Sequence, residues 1–146
     1  MKSTQPNPNS TLVKQIHHAP EDILERWGNY FNKHDVERIV GLYHSQSTLI
    51  PTFSANIAST RQQIREYFIK AKSISVEIQQ SSVIKQQLAE SIFVLSGDYI
   101  FIHKNCSKKN CAAQFTFLID ISSEKPIQHH HSAKAFEASS HVQGSN

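Results

Sequence analysis

The part of the sequence whose residue types promise chemistry most directly is the triplet His129, His130 and His131, which Ser132 follows. Imidazole binds transition metals and exchanges protons near neutral pH. Side chains of a strand alternate between its faces, so His129 and His131 share one face and His130 points to the other. Three consecutive histidines therefore do not converge on one ion as the ligands of catalytic zinc do.

At most two of these imidazoles would bind one ion, and a ligand from elsewhere would have to complete the site, such as Glu66, Asp98 or Asp120. We expect a site without metal, in which His129 and His131 frame a pocket and the middle histidine of the triplet packs outside it. The opposite assignment stays open, because the register of a strand is not fixed by its sequence alone.

Composition argues against several classes of partner. The chain has 146 residues, of which 18% are charged, and its formal net charge is +3. Its Lys and Arg residues are scattered, without the basic runs and interleaved aromatics typical of nucleic-acid binding. No apolar stretch approaches the roughly 20 residues that span a bilayer, and the N-terminus lacks the apolar core of a signal peptide. We expect a cytoplasmic protein whose partners are neither nucleic acid nor membrane.

The length suits one domain with one hydrophobic core. Both ends of the chain are polar and rich in Ser, Asn and Gln. Such segments bury too little apolar surface to fold. We therefore predict a disordered arm over residues 1–18, one domain over 19–137 and a flexible tail over 138–146.

Apolar residues at helical spacing predict three helices in the first half of the domain. They lie in "APEDILERWGNYFNKHD", "VERIVGLY" and "STRQQIREYFIKAKS". Asp35 precedes the second helix as a cap, and Thr60 with Gln63 forms a capping-box pattern before the third. Between these two helices, "STLIPTF" has the composition of a strand that Pro51 interrupts.

From Ser75 onward the apolar period changes to two, which is typical of strands. The pattern predicts four of them, in "SVEIQQSSVIK", "SIFVLSGDYIFIHK", "CAAQFTFLIDIS" and "KPIQHHHSA". Helices first and antiparallel strands second is the order of an α+β fold. We expect the helices to cover one face of a bent sheet and to leave a conical pocket between the two layers.

Cys106 and Cys111 are the two cysteines of the chain. Two thiols are too few for a structural zinc site unless histidines such as His103 complete it. The interpretation we favour is a pair of reduced thiols at the ends of a hairpin loop. A disulfide across the loop is the alternative, because the ends of a hairpin lie close together.

Four stretches together resemble a known family: "LIPTFSANIASTRQQIREYF", "SGDYIF", "AQFTFLID" and "IQHHHSA". Their order and spacing are similar to those of small bacterial proteins related to the association domain of calcium/calmodulin-dependent kinase II. The resemblance covers roughly residues 20–136. It implies the cone-shaped nuclear-transport-factor-2-like (SnoaL-like) fold, which ketosteroid isomerase and scytalone dehydratase share. Within this group the pattern is most similar to the iota-class carbonic anhydrases.

The resemblance implies a set of pocket residues at matching positions. They are the threonine after the proline, the tyrosine of the third helix, and the histidine triplet with its first serine: Thr52, Tyr67, His129, His130, His131 and Ser132. Tyr99 in "SGDYIF" lies at another recurrent position of the family. Iota-type enzymes include members that work without metal, so the resemblance implies neither a metal nor another cofactor.

Several positions depart from the family's pattern. Ala58 and Gln114 stand where the family usually has arginines, and Ala133 stands where it has a second serine. The tryptophan expected before the triplet is absent from "SEKPIQ". An arginine fork suits bicarbonate or a carboxylate, so these losses weaken anion binding. Gln114 is kept as a less certain pocket residue.

The function that these residues imply is metal-independent hydration of carbon dioxide to bicarbonate. Hydroxyls of Thr52, Tyr67 and Ser132 would hold the water and the product, and a neutral histidine of the triplet would accept or relay the proton. The partner would be this small-molecule substrate, bound in a mostly apolar cavity.

Two other functions fit the same fold. The first is a non-catalytic association module that forms a homodimer through the outer face of its sheet, which the missing arginines favour. The second is an isomerase-like protein that binds a small ligand, with Asp98 or Asp120 as its base. A void around the three hydroxyls would support the hydratase. A void filled by side chains, with apolar surface on the outer face, would support the association module.

Overall fold

The structure is a computed structural model that describes residues 16–104 and 110–136. This part of the chain contains three helices, namely α1 (Pro20–Asn32), α2 (Val36–Gly41) and α3 (Arg61–Lys70). It contains six strands, namely β1 (Tyr43–Ile50), β2 (Ile74–Ile78), β3 (Ile84–Gln87), β4 (Ile92–His103), β5 (Cys111–Asp120) and β6 (Ile127–Lys134). A 3-10 turn, Gln80–Ser82, connects β2 to β3.

Local sequence explains where the helices begin. Pro20 is the first residue of α1, where its missing N–H costs nothing. The carboxylate of Asp35 accepts a hydrogen bond from the backbone N–H of Arg38 and so caps α2. Thr60 and Gln63 form the predicted capping box at α3. No helix in the described ranges is long and apolar enough to cross a membrane.

The strands form one mixed sheet in the order β1-β6-β5-β4-β2, and β3 pairs with β4 beside this path. β1 runs parallel to β6, whereas the remaining pairs are antiparallel. The first half of β4 pairs with β3 over Phe93–Ser96, and its second half pairs with β2 over Tyr99–His103. Gly97 lies between these two ladders, so one long strand changes its partner at this residue.

The helices pack on the inner face of the sheet and form one hydrophobic core with it, as the α+β pattern predicts. α1 contributes apolar side chains that are at most 5% exposed: Ile23, Leu24, Trp27 and Phe31. β4 and β5 present alternate residues to the same core: Phe93, Leu95, Tyr99, Phe101, Phe115, Phe117 and Ile119. Burial of each such large side chain contributes about 1.5–3 kcal/mol.

Two predicted elements have different boundaries in the structure. α2 ends at Gly41, and Tyr43, which the helical spacing assigned to α2, is the first residue of β1. The single strand predicted from Ser75 to Lys85 is instead the pair β2 and β3. The turn between them is stabilised by the hydroxyl of Ser82, which donates to the carbonyl of Gln79 at 2.6 Å. Serine competes in this way for backbone partners and interrupts a strand.

The first described residues contact the sheet, although the sequence pattern placed them in the polar arm. The backbone N–H groups of Ile16 and His17 both donate to the carbonyl of Ile121, at 3.1 Å. The His17 side chain is 7% exposed, whereas His18 is exposed. Residues 1–15, Cys106 in the predicted thiol loop, and the chain from residue 137 onward lie outside the described residues.

Candidate functional site

The histidine triplet lies in β6, and its orientation is the opposite of the one we expected. His130 and Ser132 face the core and are 2% and 4% exposed. His129 is half-buried and His131 is exposed, and both project from the other face of the sheet. The expectation that these two histidines frame an inner pocket is therefore wrong.

A β-bulge in β6 causes this orientation. Neighbouring residues of β5, Leu118 and Ile119, pair with His129 and Ile127, which are two positions apart. Gln128 is therefore an extra residue in β6. One extra residue shifts the alternation of every side chain that follows it. After Ile127, the next side chain of β6 that faces the core is therefore that of His130 and not that of His129.

His130 accepts and donates hydrogen bonds inside the core. The Nε1–H of Trp27 donates to the Tyr43 hydroxyl at 2.9 Å, and that hydroxyl lies 2.7 Å from Nδ1 of His130. On the other side of the ring, Nε2 lies 3.1 Å from the hydroxyl of Tyr99. Both ring nitrogens of this buried imidazole thus have a tyrosine partner.

The hydrogen bonds continue from Tyr99 towards the end of β1. The Tyr99 hydroxyl donates to Oγ of Ser132, and Ser132 shares a hydrogen bond with the Thr52 hydroxyl. Six side chains therefore form one chain of hydrogen bonds, which we call the buried chain: Trp27, Tyr43, His130, Tyr99, Ser132 and Thr52. The structure joins two of the predicted site residues, Thr52 and Ser132, together with two of the less certain ones, Tyr99 and His130.

Aromatic rings surround the imidazole of His130. Its ring stacks on Phe117 at a centroid distance of 3.9 Å and meets Trp27 edge-on at 5.4 Å. Burial, and then the neighbouring His129 and His131, hold the pKa of His130 well below its ordinary value. The imidazole is therefore neutral, as a proton acceptor or relay has to be.

The tyrosines of the buried chain are neutral as well. Burial raises the pKa of Tyr43 well above its ordinary value, against the hydrogen bond from Trp27. Burial also raises the pKa of Tyr99, against its hydrogen bond with Ser132. With neutral hydroxyls and a neutral imidazole, the buried chain places no net charge in the core.

Tyr67 occupies a different place from the other predicted hydroxyls. It lines a cleft of about 560 Å³ between α3 and residues 51–58, where Phe53, Ile57, Glu66 and Lys70 also lie. Burial raises the pKa of the Tyr67 hydroxyl, against a hydrogen bond with the backbone of Phe53. Neither Thr52 nor Ser132 lines this cleft, so the cleft does not bring the three hydroxyls together.

The positions that depart from the family's pattern lie away from the buried chain. Gln114 and Ala133 are paired residues of β5 and β6, and both are exposed on the outer face of the sheet. Gln114 is thus not a pocket residue inside the cone. Ala58 is 5% exposed and bonds through its backbone to Leu49 of β1.

The carboxylates considered for a base or a metal ligand also lie outside the cone. Asp98 is exposed. Burial of Asp120 opposes its ionisation, but hydrogen bonds from Ser122 and Ser91 outweigh this effect and lower its pKa. Within the described residues, no group of three or more His, Cys, Asp or Glu side chains is arranged to hold a metal ion.

The outward side chains of β1, β4, β5 and β6 form a surface that we call the outer face. Its centre is apolar or carries hydroxyls and imidazoles, mostly half-buried: Thr48, Ile50, Val94, Ser96, Ile100, Ile102, Thr116, Leu118, His129 and His131. Asp98 and Asp120 contribute carboxylates to the described part of this surface, and no Lys or Arg lies among these side chains.

Sequence reasoning missed Tyr43, the residue that links Trp27 to His130. The helical spacing assigned it to α2, and a residue at the end of a helix has no reason to meet the last strand. The signal that predicts its place is the pairing of Tyr43 with Ile127 across β1 and β6, which is visible only once the strands are aligned.

No protein-family model matches the chain, and no curated protein matches it significantly. Its structure is similar to a protein from Xanthomonas campestris assigned as a calcium/calmodulin-dependent protein kinase II association domain. The two chains are 23% identical, with a TM-score of 0.70 over 86% of this chain and 98% of that one.

Two further solved structures have the same architecture. One, from Novosphingobium aromaticivorans, is assigned as a scytalone dehydratase and is 8% identical, with a TM-score of 0.67 over 80% of this chain and 81% of that one. The other, a ketosteroid isomerase-like protein from Erwinia carotovora, is 14% identical, with a TM-score of 0.63 over 80% and 94%. The chain therefore has the nuclear-transport-factor-2-like cone fold, with few helices on a curved mixed sheet.

Proposed function

We propose that this chain is an association module of the cone fold, which pairs with a second copy of itself through the outer face. The observation that carries the proposal is the combination of a filled cone with an outer face whose centre carries no Asp, Glu, Lys or Arg. Leu95, Tyr99 and Phe117 are fully buried inside the cone and occupy the space that a ligand would need.

The centre of the outer face suits contact with its own copy. In a two-fold pair the same patch of each subunit meets the other, so a charge near the axis meets an equal charge. Leu118 and Val94 face each other across β5 and β4, and His129 lies beside Leu118 on β6. Burial of such apolar side chains stabilises an interface.

The similarity to the Xanthomonas campestris protein supports this proposal, because that protein is assigned as an association domain. A likeness at 23% identity establishes the fold alone. Self-association of this chain therefore has to be measured directly.

Sedimentation equilibrium of the wild-type chain and of Leu118→Lys tests the association module. We expect a wild-type dimer, and we expect the variant to raise the dimer dissociation constant at least about 30-fold, as for a central interface residue. Ile69→Lys is the matched control, because Ile69 lies on α3 and its side chain is already 49% exposed. This variant should leave the dimer unchanged. A wild-type chain that is folded and monomeric at its highest soluble concentration would overturn the proposal.

A second candidate function is metal-independent hydration of carbon dioxide, and the buried chain favours it. Ser132 and Thr52 share a hydrogen bond, and a neutral imidazole follows one tyrosine further along. Such a series of groups is able to orient a water at the Thr52 end and to relay its proton. In this proposal His130, rather than His129 or His131, accepts or relays the proton. The hydroxyls hold the product, bicarbonate.

The hydration assay tests this second function with and without a chelator. We expect activity that the chelator leaves unchanged and that Ser132→Ala lowers at least about 100-fold, as for loss of proton transfer. Ala133→Ser adds a hydroxyl on the outer face and should not change the rate. Inactive but folded wild-type protein, or equal rates in the wild type and Ser132→Ala, would remove hydration as the function.

A further inference from the structure

The direction of the hydrogen bonds in the buried chain follows from its first member. The indole N–H of Trp27 is a donor and has no lone pair to accept with, so the Tyr43 oxygen accepts from it. The Tyr43 hydroxyl has one proton of its own to donate. The acceptor within reach is Nδ1 of His130, at 2.7 Å.

The same reasoning continues through the imidazole. A neutral histidine that accepts at Nδ1 carries its proton on Nε2, and this N–H donates to the Tyr99 oxygen at 3.1 Å. Tyr99 then donates to Ser132, which agrees with the geometry of that hydrogen bond. The Ser132 proton is left for the Thr52 oxygen.

The opposite direction leaves a buried donor without an acceptor. If Nδ1 carried the proton, it would donate to the Tyr43 oxygen, which already accepts from Trp27. The Tyr43 proton would then have no acceptor, although this side chain is only 2% exposed. An unmade hydrogen bond in the core carries a large penalty, so this direction is disfavoured.

We infer that the buried chain holds His130 as the Nε2–H tautomer, with every hydrogen bond from Trp27 to Thr52 directed towards Thr52. The inference deepens the second proposed function, because it describes the site that would hold the water. In this direction Thr52 donates to the bound oxygen, so the relay of a proton inward to His130 requires the hydrogen bonds from Thr52 to His130 to reverse first. It goes beyond that function in naming the ligand chemistry at the open end.

The last proton of the buried chain is the Thr52 hydroxyl proton. No acceptor for it is present among the described residues other than Ser132, whose own proton already points towards Thr52. Thr52 lies between Pro51 and Phe53, which both line the cleft beside α3. The atom that accepts this proton is therefore a hydrogen-bond acceptor at the open end of the buried chain, such as a water or a carboxylate-like oxygen.

Nitrogen NMR of the full chain, labelled with ¹⁵N in its histidines, tests the inference directly. Long-range ¹H–¹⁵N correlations distinguish the two tautomers once His130 is assigned through the backbone. In the wild type at pH 7.5 we expect the Nε2–H tautomer in about tenfold or greater excess. In Ser132→Ala the excess should fall about tenfold, because the Tyr99 proton then loses its acceptor and each direction leaves one tyrosine proton unpaired.

Two further variants complete the test. Tyr30→Phe changes a half-buried tyrosine of α1 that is outside the buried chain, and it should keep the wild-type tautomer. Tyr43→Phe should also keep it, because a proton on Nδ1 would then have no acceptor. An Nδ1–H tautomer in the wild type, or an unchanged ratio in Ser132→Ala, would overturn the inference.

The NMR readout separates this inference from the hydration proposal. The tautomer of His130 is measured without substrate, so it is observed whether or not the protein hydrates carbon dioxide. A wild-type chain with the expected tautomer but without activity would keep the inference and discard hydration. If Tyr43→Phe does not fold, the wild type and Ser132→Ala still decide the direction.

Discussion

Each side chain of the buried chain has its hydrogen-bonding groups matched to those of its neighbours. An unpaired hydroxyl or imidazole in a core costs about 1–3 kcal/mol, whereas a paired one is close to neutral. Tyr99, for example, is fully buried and meets His130 on one side and Ser132 on the other. The residues of the buried chain are therefore not interchangeable one at a time, because each loss leaves a neighbour unpaired.

The neutral state of His130 predicts how stability depends on pH. Its pKa is lowered in the folded protein, so below the ordinary histidine value of about 6.5 the unfolded chain binds a proton that the folded chain does not. The contribution of His130 to the free energy of unfolding is therefore complete above pH 6.5. It is lost progressively as the pH drops below this value. We expect a slope of up to about 1.4 kcal/mol per pH unit from this group, measured by urea unfolding between pH 7.5 and 5.

The comparison that isolates this contribution is the slope, not the absolute stability. His130→Gln removes the titrating ring, so its unfolding free energy should depend less steeply on pH over the same range. His17 and His34 also have lowered pKa values and remain in both proteins, so they cancel in the difference. Equal slopes in the two proteins would show that His130 does not titrate on unfolding.

At this scale, sequence reasoning named residues better than it named their contacts. Thr52, Tyr99 and Ser132 were identified from matching motifs, and the structure joins all three. Tyr67 was named in the same way but lies in the cleft. A motif fixes which residue occurs at a position, whereas a hydrogen bond depends on distances set by the packing of separate strands, which the sequence does not display.

Among the elements, β4 depends on one small residue. A Cβ atom at Gly97 would lie 2.9 Å from the ring of Phe115 and 3.0 Å from the hydroxyl of Ser82. Ser82 accepts a hydrogen bond there from the backbone N–H of Asp98 at 2.8 Å, so the turn between β2 and β3 packs against this point of β4. The close approach holds both ladders of β4 in one sheet.

Gly97→Ala should therefore destabilise the fold. The added methyl group has to displace a buried aromatic ring or break the Ser82 contact, so we expect a loss of about 1–3 kcal/mol in the free energy of unfolding. Gly41→Ala, at the end of α2, is the control: a Cβ there meets nothing within 4 Å. Urea unfolding should show no loss for Gly41→Ala, and an equal loss in both variants would refute the steric explanation.

The elements that sequence reasoning placed well are those with local signals. α3 has its capping box and its apolar stripe within fifteen residues, so its prediction needs no distant contact. The bulge at Gln128 has no such signal, because it is a mismatch in length between β5 and β6. That single extra residue decided which histidine enters the core, and it explains why the expected orientation of the triplet was wrong.

For the molecule as a whole, the cone and its outer face separate two kinds of chemistry. The inside holds neutral polar groups in an aromatic core, and the outside presents half-buried apolar side chains on four strands. The α+β order of elements predicted this division between layers. It did not predict that side chains fill the cone, since filling depends on how Trp27, Tyr99 and Phe117 pack against one another.

The start of the described chain ties the helical layer to the far end of the sheet. His17 lies between α1 and the turn after β5: Arg26 donates to its Nδ1 at 3.3 Å, and its Nε2–H donates to the carbonyl of Ser123 at 3.1 Å. Burial, and then the charge of Arg26, lower the pKa of His17, which keeps the ring neutral and able to accept from the guanidinium.

His17→Ala should loosen this tie and lower the free energy of unfolding by about 1–3 kcal/mol, because the Ser123 carbonyl and Arg26 lose their partner. His18→Ala is the matched control, since its side chain is exposed and a surface change of this kind stays within about 0.5 kcal/mol. Urea unfolding at pH 7.5 measures both variants. If the tie is local, hydrogen exchange should quicken at the amides of Ile16 and His17 before it quickens in β5. Equal stability of the two variants would mean that the first described residues contact the sheet without stabilising it.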